Sequence, residues 1–443
     1  MFLRCAFIVF QFVLFVTTAC EEDNEHLPIQ SPDELSARLA TDWIDLQLYF
    51  VTKSPGFAPP VVARAFAYCG LAFYEALVPA MPSNKSLQGA LNRLEAGTLP
   101  APIEGLEYYF PLAANASAAE MSRLMFENAP TTDLPKTDSL EKVYVDLLKV
   151  GLKQDVIARS IQFGKDIATV LYSLSTADGG HRGFNRNFPA SYVPPVGVGL
   201  WVPTNSQLAL LPSWGSNQTF VKDIKSIVRV PTHPTFSTDQ NSVFYFEAMK
   251  VYQVSKNLTD EQRAIAFFWN DDPLATFTPP GHSISIVNQL ILHENKSLAF
   301  AAEAYARMGI ALSDAFVVCW NVKYTSNLLR PVTYIQQHLD EFWNSLIIAP
   351  PFPEYTSGHS TQAAAAAVVL EHLFGANYSF IDKTHLKLNT GLGPRSFTSF
   401  NHMADECSVS RLYGGIHFEF GNQHGKQMGL SVGEAILKLP FKK

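Results

Sequence analysis

Residues 353–370 read PEYTSGHSTQAAAAAVVL. Five consecutive alanines, 363–367, followed by Val368-Val369-Leu370, have the small apolar build of a helix packed closely at the centre of a protein. Thr356 or Ser357 can cap that helix, and Gly358 lets a ligand approach its backbone. Free N–H groups at such a terminus, together with a serine hydroxyl, hold oxyanion oxygens. A buried helix with a polar, open mouth therefore asks for a negative group in front of it.

Working outward, helical periodicity returns at 237–257, 259–269, 283–292, 295–326, 333–347, 402–414 and 424–437, and the central helix itself is expected at 359–374. In the first half, Ser31-Pro32-Asp33-Glu34 has the form of a capping box with proline at the first helical position. Leu35, Leu39, Trp43 and Leu46 follow on one face, which predicts a helix from residue 31. A Pro-Gly break at 55–60 precedes a second helix over 61–78, and shorter, interrupted helical stretches run to 140. Helices are also expected at 137–152 and 154–175. Residues 179–215 are rich in Gly, Pro and aromatics without a sustained period, which argues for an ordered loop or lid rather than a linker. Strand patterns are scarce and no repeat stands out. The fold class is all-α, helix upon helix, with long ordered loops converging on one end.

At 47 % hydrophobic and 16 % charged, the 443-residue chain is globular, and a net charge of −7 excludes an overall attraction to nucleic acid, so any anion site is local. Residues 1–19, with Arg4 ahead of an apolar run from Ala6 to Val16, have the build of a signal peptide too short to span a membrane. Thr17-Thr18-Ala19-Cys20 resembles a bacterial lipobox, with Thr17 where leucine is usual; cleavage there makes Cys20 a lipidated N-terminus. Glu21-Glu22-Asp23 resembles the surface-export tether of certain bacterial lipoproteins. The expected address is extracytoplasmic, as an outer-membrane or cell-surface lipoprotein with a lipid anchor or, with an ordinary cleavage site, as a secreted protein. Residues 20–443 are expected to form a single all-helical catalytic domain. Cys69, Cys319 and Cys407 lack zinc-like spacing and read as small buried residues.

Two further motifs share the helix mouth's chemistry. In VKYTSNLLRPV, Lys323 and Arg330 stand two helical turns apart, which places both on one face, and Pro331 ends or bends the helix; their apolar surroundings imply that they face something buried and negative. In Ser410-Arg411-Leu412-Tyr413-Gly414-Gly415-Ile416-His417, Arg411 offers a planar fork of donors and the glycine pair permits a bend that returns His417 to the same point. The set suits a tetrahedral or trigonal-bipyramidal oxyanion and lacks the carboxylates that Mg²⁺ or Ca²⁺ would need.

Together KYTSNLLRP, YTSGHS and SRLYGGIH resemble the three-part signature shared by the vanadium-dependent haloperoxidases and the type 2 phosphatidic acid phosphatase (acid phosphatase) superfamily: Lys, six residues, Arg-Pro; Ser-Gly-His; Ser-Arg, five residues, His. The likeness runs over residues 240–440, the expected vanadate-binding core, and the N-terminal half looks like the bacterial haloperoxidase branch. It implies that branch's helical-bundle fold and one vanadate per chain. Lys323, Arg330, Ser357, Gly358 and Arg411 would hold the equatorial oxygens. His417 would be the axial metal ligand, and His359 the acid-base residue beside the apical oxygen. Trp320 and Phe352 match the aromatic walls of the halide side in the fungal chloroperoxidase; algal bromoperoxidases place histidine where Phe352 stands. Asp272, or else Asp271, is expected to hydrogen-bond His359.

The implied activity is oxidation of iodide, or else bromide, by hydrogen peroxide to a hypohalous acid that halogenates small organic acceptors, in a monomer or homodimer. One position departs from the family: the usual aspartate four residues after the last histidine is Gly421. That leaves Glu419 or a backbone carbonyl to orient His417. It also weakens the competing reading as a secreted acid phosphatase with His417 as nucleophile, where the aspartate orients that histidine. His282, in TPPGHSIS, reads as a packing or capping residue.

Overall fold

A computed structural model describes residues 30–204 and 207–443; the expected leader and Cys20 lie outside them. Among the described residues the fold is all-helical apart from one small hairpin. The first half contributes α1 (Arg38–Val51), α2 (Pro59–Leu77), α3 (Phe110–Met125), α4 (Pro135–Leu148), α5 (Gln154–Ser175) and α6 (Ile224–Ile227). The second contributes α7 (Val243–Lys256), α8 (Asp260–Phe268), α9 (Thr278–His293), α10 (Leu298–Ser326), α11 (Pro331–His338), α12 (Gly358–Phe374), α13 (Phe400–Tyr413) and α14 (Glu419–Leu437). Antiparallel β1 (Phe380–Asp382) and β2 (Arg395–Phe397) pair Phe380 with Phe397 and Asp382 with Arg395.

The alanine-rich helix is central, as its composition requires. Ala363 through Ala367 are buried, and α12 packs on α10, α13 and α14. Its closest neighbour is α14, where Gly425, Gly429 and Gly433 recur every fourth residue. A Cβ at these positions would come within 2.8 Å of the Ser357 oxygen, 2.1 Å of the Thr361 oxygen and 2.6 Å of Val368 Cβ, so the two backbones touch. Among the described residues, Pro59–Ala80 is the helix long and apolar enough to cross a membrane, and it is wholly buried as a core element. Cys69, Cys319 and Cys407 are free and buried.

Four local expectations are corrected. Glu34 does accept the Ser31 N–H, but α1 begins at Arg38, because the Pro32 and Leu35 carbonyls turn aside to receive the Ala299 and Leu298 N–H groups at the start of α10. Lys323 and Arg330 do not share a helix: α10 ends at Ser326, Asn327 takes a left-handed conformation (φ 46°), and Arg330 stands extended just before α11. The helix expected over 333–347 closes at His338, where Leu339 and Asp340 both return N–H bonds to the Ile335 carbonyl. Within the region expected to hold only short, interrupted helical stretches, α3 runs unbroken for 16 residues, because FPLAANASAAEMSRLM is buried on most sides and lacks the amphipathic stripe that would mark its length.

The described parts of the expected loop, 179–204 and 207–215, are irregular apart from short 3-10 turns at Gly183–Asn185 and Trp214–Ser216. They are fastened over the active end of the bundle. Trp201 N–H donates to the Asn327 carbonyl (2.7 Å), Gly199 accepts from Leu329 N–H (3.0 Å) and Leu210 N–H donates to Pro351 (2.8 Å). The Leu210 carbonyl accepts from Tyr324 Oη (2.7 Å) and Trp320 Nε1 (3.3 Å).

Candidate active site

Ser357 is the N-cap of α12: its hydroxyl oxygen accepts from Ser360 N–H (3.3 Å) and Ser360 Oγ (2.9 Å). Around this helix mouth the fold gathers three buried cations. Lys323, in the last turn of α10, donates to the Pro353 and Glu354 carbonyls at 3.0 and 2.9 Å. Arg330 donates through Nε to the Phe352 carbonyl (2.9 Å) and through Nη1 to the Ile416 carbonyl (2.8 Å), and Nη1 also lies 3.0 Å from His417 Nε2. Arg411, near the end of α13, donates to Ser410 Oγ (2.9 Å) and the Ala266 carbonyl (3.1 Å). These bonds go to carbonyls, a hydroxyl and an imidazole rather than to carboxylates. Burial accordingly pulls the lysine down to about 7 and each arginine to about 10.

Gly358, His359, Arg411, His417, Trp320, Phe352 and Asp272 line one cavity of about 650 Å³; Lys323, Arg330 and Ser357 are buried against its wall. Phe352 lies between two of the cations, its ring centre 4.9 Å from Lys323 Nζ and 4.8 Å from Arg330 Cζ, and 5.0 Å from the Trp320 ring. Burial, then the Arg411 charge, holds the His359 imidazole well below its ordinary range. Burial and the Arg330 and Lys323 charges do the same to His417, so both rings are neutral bases.

The buried polar atoms without a protein partner at this place include Arg330 Nη2 and His359 Nε2, and beside them the carboxylate oxygens Glu354 Oε2 and Asp271 Oδ1. Unpaired buried polar groups and charges cost on the order of several kcal/mol, and an oxyanion that carries a hydroxyl would relieve the first two, an oxygen accepting from Arg330 Nη2 and its O–H donating to His359 Nε2. Three cations, a helix mouth and a histidine lone pair therefore fit a vanadate-sized oxyanion.

A family model, the VCPO second helical-bundle domain, matches residues 303–440. The crystal structure of the first bacterial vanadium-dependent iodoperoxidase is similar at 32 % identity and a TM-score of 0.81, over 93 % of this chain and 97 % of that one. The chain belongs to the vanadium-dependent haloperoxidases. A holo-type bacterial vanadium-dependent chloroperoxidase shares the fold at 17 % identity and a TM-score of 0.64, over 88 % of this chain and 93 % of that one. The vanadium chloroperoxidase of Curvularia inaequalis is 23 % identical over 402 residues, which are 76 % of this chain and 66 % of the relative; the chain thus spans just under two thirds of that protein's length.

In this haloperoxidase the acidic residues are deployed differently from the expectation. Asp272 lines the cavity, but its Oδ2 accepts from Asn270 Nδ2 (2.5 Å) rather than from His359. Asp271 does not serve His359 either: its Oδ2 lies 2.8 Å from His282 Nδ1, while His282 Nε2 lies 2.7 Å from Asp382 Oδ2. The group beside the His359 ring is the Trp269 backbone carbonyl. His282 is therefore no simple packing or capping residue. Burial alone would lower its pKa, but the two carboxylates raise it to about 10, making a buried carboxylate–imidazolium–carboxylate triad. Asp271, His282 and His385 also bring ligand atoms within 4.8 Å of one another, yet His282, protonated between two carboxylates, has no lone pair to give a metal. Trp269 stacks on the His282 ring at 4.8 Å, so the triad braces the backbone that meets His359.

Neither candidate for orienting His417 does so. Glu419 pairs with Lys250, and the nearby Ile416 carbonyl accepts from Arg330. The partner is Glu354, whose Oε1 lies 2.8 Å from His417 Nδ1. Its signal was present in the sequence as a lone acid in the apolar, proline-rich run IIAPPFPEYTSG.

Proposed function

We propose that the chain is an iodide peroxidase, which oxidises iodide, and bromide second, with hydrogen peroxide at a bound vanadate, giving hypohalous acid that halogenates small organic acceptors. The observation that carries this reading is the cluster of Lys323, Arg330 and Arg411 buried without carboxylate partners beside the Nε2 of a neutral His417. Lys323, Arg330, Ser357, Gly358 and Arg411 would hold the vanadate oxygens and His417 Nε2 the metal. When bound, vanadate supplies a pentavalent Lewis acid that activates peroxide toward two-electron oxidation of halide.

The chain's own groups do the rest. His359 Nε2, neutral and without a protein partner, takes a proton from entering peroxide and returns it to the departing oxygen, so that halide, peroxide and one proton yield hypohalous acid and water. Lys323 and the two arginines are fixed before the reaction and need no rearrangement as charge develops. The Trp320 and Phe352 faces give the halide an apolar approach of the kind matched in the fungal chloroperoxidase, and the support for iodide is the iodoperoxidase relative.

The test is peroxide-dependent oxidation of iodide, bromide and chloride by protein stripped with chelator and phosphate, with and without orthovanadate. Vanadate-dependent turnover, fastest with iodide, is expected; turnover indifferent to vanadate overturns the reading. Glu354 gives the acid phosphatase reading a specific footing, since it supplies the carboxylate–histidine pair whose absence counted against it. Phosphate release from a model ester without vanadate, and no halide oxidation, would select that alternative. An extracytoplasmic address belongs to the same proposal. It predicts fatty-acid labelling that Cys20→Ser abolishes; a secreted, unlabelled protein would remove the anchor.

A further inference from the structure

We infer that Glu354 is the positioning residue for the histidine ligand, and that residue 421 is glycine because Glu354 occupies the space an aspartate there would fill. The inference rests on the reading of His417 as the vanadium ligand. The His417 ring is 2 % exposed and held at both nitrogens, Nδ1 by Glu354 Oε1 at 2.8 Å and Nε2 by Arg330 Nη1 at 3.0 Å. A guanidinium only donates, so Nε2 carries the lone pair and Nδ1 the hydrogen. That tautomer presents the one nitrogen able to ligate a metal toward the cations.

The carboxylate is itself held in place. Oε1 also accepts the Phe418 N–H (3.1 Å), so it grips the ring and the backbone next to it. Glu354 N–H donates to the Leu328 carbonyl (2.9 Å), and its own carbonyl accepts from Lys323 Nζ. One loop residue thus links a cation of the site to the orientation of the ligand.

Gly421 separates this arrangement from ordinary helix packing. The other glycines of its row, 425, 429 and 433, abut α12, whereas a Cβ at 421 would lie 2.2 Å from Glu354 Oε1. Bond lengths of about 1.5 and 1.2 Å place an aspartate oxygen about 2.4 Å from its Cβ. An aspartate at 421 would therefore set its oxygen near the point Glu354 Oε1 now holds. The two carboxylates are alternative sources of one acceptor and exclude each other.

The variants are Glu354→Ala, Glu354→Gln, Gly421→Asp and the double Glu354→Ala/Gly421→Asp. Each is stripped of oxyanion, checked for folding by thermal melt, and titrated with orthovanadate and separately with phosphate; histidine ¹⁵N spectra report the His417 tautomer. Glu354→Ala should lose about ten- to a hundredfold in vanadate affinity, the usual effect of removing a ligand's orienting partner. It should show a mixed His417 tautomer and hold phosphate at least as well, because phosphate uses only the cations. Glu354→Gln should fall between, Gly421→Asp alone should also weaken vanadate, and the double variant should recover most of the affinity and the single tautomer.

A purely electrostatic carboxylate predicts the opposite sign, since removing a negative charge would tighten both anions. Tighter vanadate binding in the alanine and glutamine variants, or an unchanged His417 signal in the alanine variant, overturns the inference. So does a folded double variant no better than Glu354→Ala. If the parent protein takes up no vanadate, the functional reading fails, while the tautomer signal still decides the role of Glu354.

Discussion

Lys323 shows what a single buried cation does at this site. Burial holds its pKa near 7, against about 10.5 for a free lysine, so in the oxyanion-free protein its charge is lost as pH rises through neutrality. Sulfate, whose own charge is constant over this range, should therefore bind the stripped protein more weakly above pH 7, by up to about tenfold per pH unit. Titration calorimetry between pH 6 and 9 checks this, and Lys323→Met should bind weakly at every pH with a shallower slope, the remainder coming from Glu354, whose carboxyl burial raises to about 7. The same residue shows how far local reading went. Its chemistry and proximity to Arg330 were legible, but the two-turn helix assumed between them was not there. Asn327 breaks the helix, and both side chains still reach Phe352 because the fold brings them to it.

At the scale of elements, two joints hold the mouth of α12. The first is the α12–α14 glycine contact. Gly429→Ala places a Cβ 2.1 Å from the Thr361 carbonyl oxygen and should destabilise the protein by about 1–3 kcal/mol, lowering the melting temperature by several degrees. The second is the His282 triad, which ties α9 to β1 and to the loop carrying Asp271. His282→Asn leaves two buried carboxylates without their cation and should cost about 3–5 kcal/mol in a denaturant melt at pH 7. The sign with pH follows from the raised pKa: the stabilisation is complete below the unfolded value near 6.5 and is lost as pH climbs through about 10. The difference between parent and variant should therefore shrink across that window. The every-fourth-residue glycine row stood in the sequence in plain view; the triad did not, because its members lie 11 and 100 residues apart along the chain.

For the whole molecule, the bundle and the long loop clamp one cavity, and occupancy should be felt globally. A ligand that binds only the folded state adds about 2.7 kcal/mol at a hundred times its dissociation constant. Orthovanadate should accordingly raise the melting temperature of the stripped protein by several degrees, and chelator with phosphate washing should reverse the part due to vanadate. Differential scanning fluorimetry with sulfate alongside separates the metal oxyanion from general anion binding: sulfate lacks a metal for His417 Nε2 and should give the smaller shift.

By itself, the sequence determined the helical class, the central position of the alanine helix, the globular acidic character and the ordered motifs that carry the donors, because these follow from composition, period and spacing along the chain. Tertiary structure alone decided which acid serves which histidine. Asp271 and Asp272 are next to the expected place in sequence, yet one is taken by His282 and the other by Asn270, while Glu354 reaches His417 from 63 residues away. The physical reason is that a hydrogen bond acts over about 3 Å and is blind to position along the chain, so partnership in a buried site is settled only when packing brings donors and acceptors together.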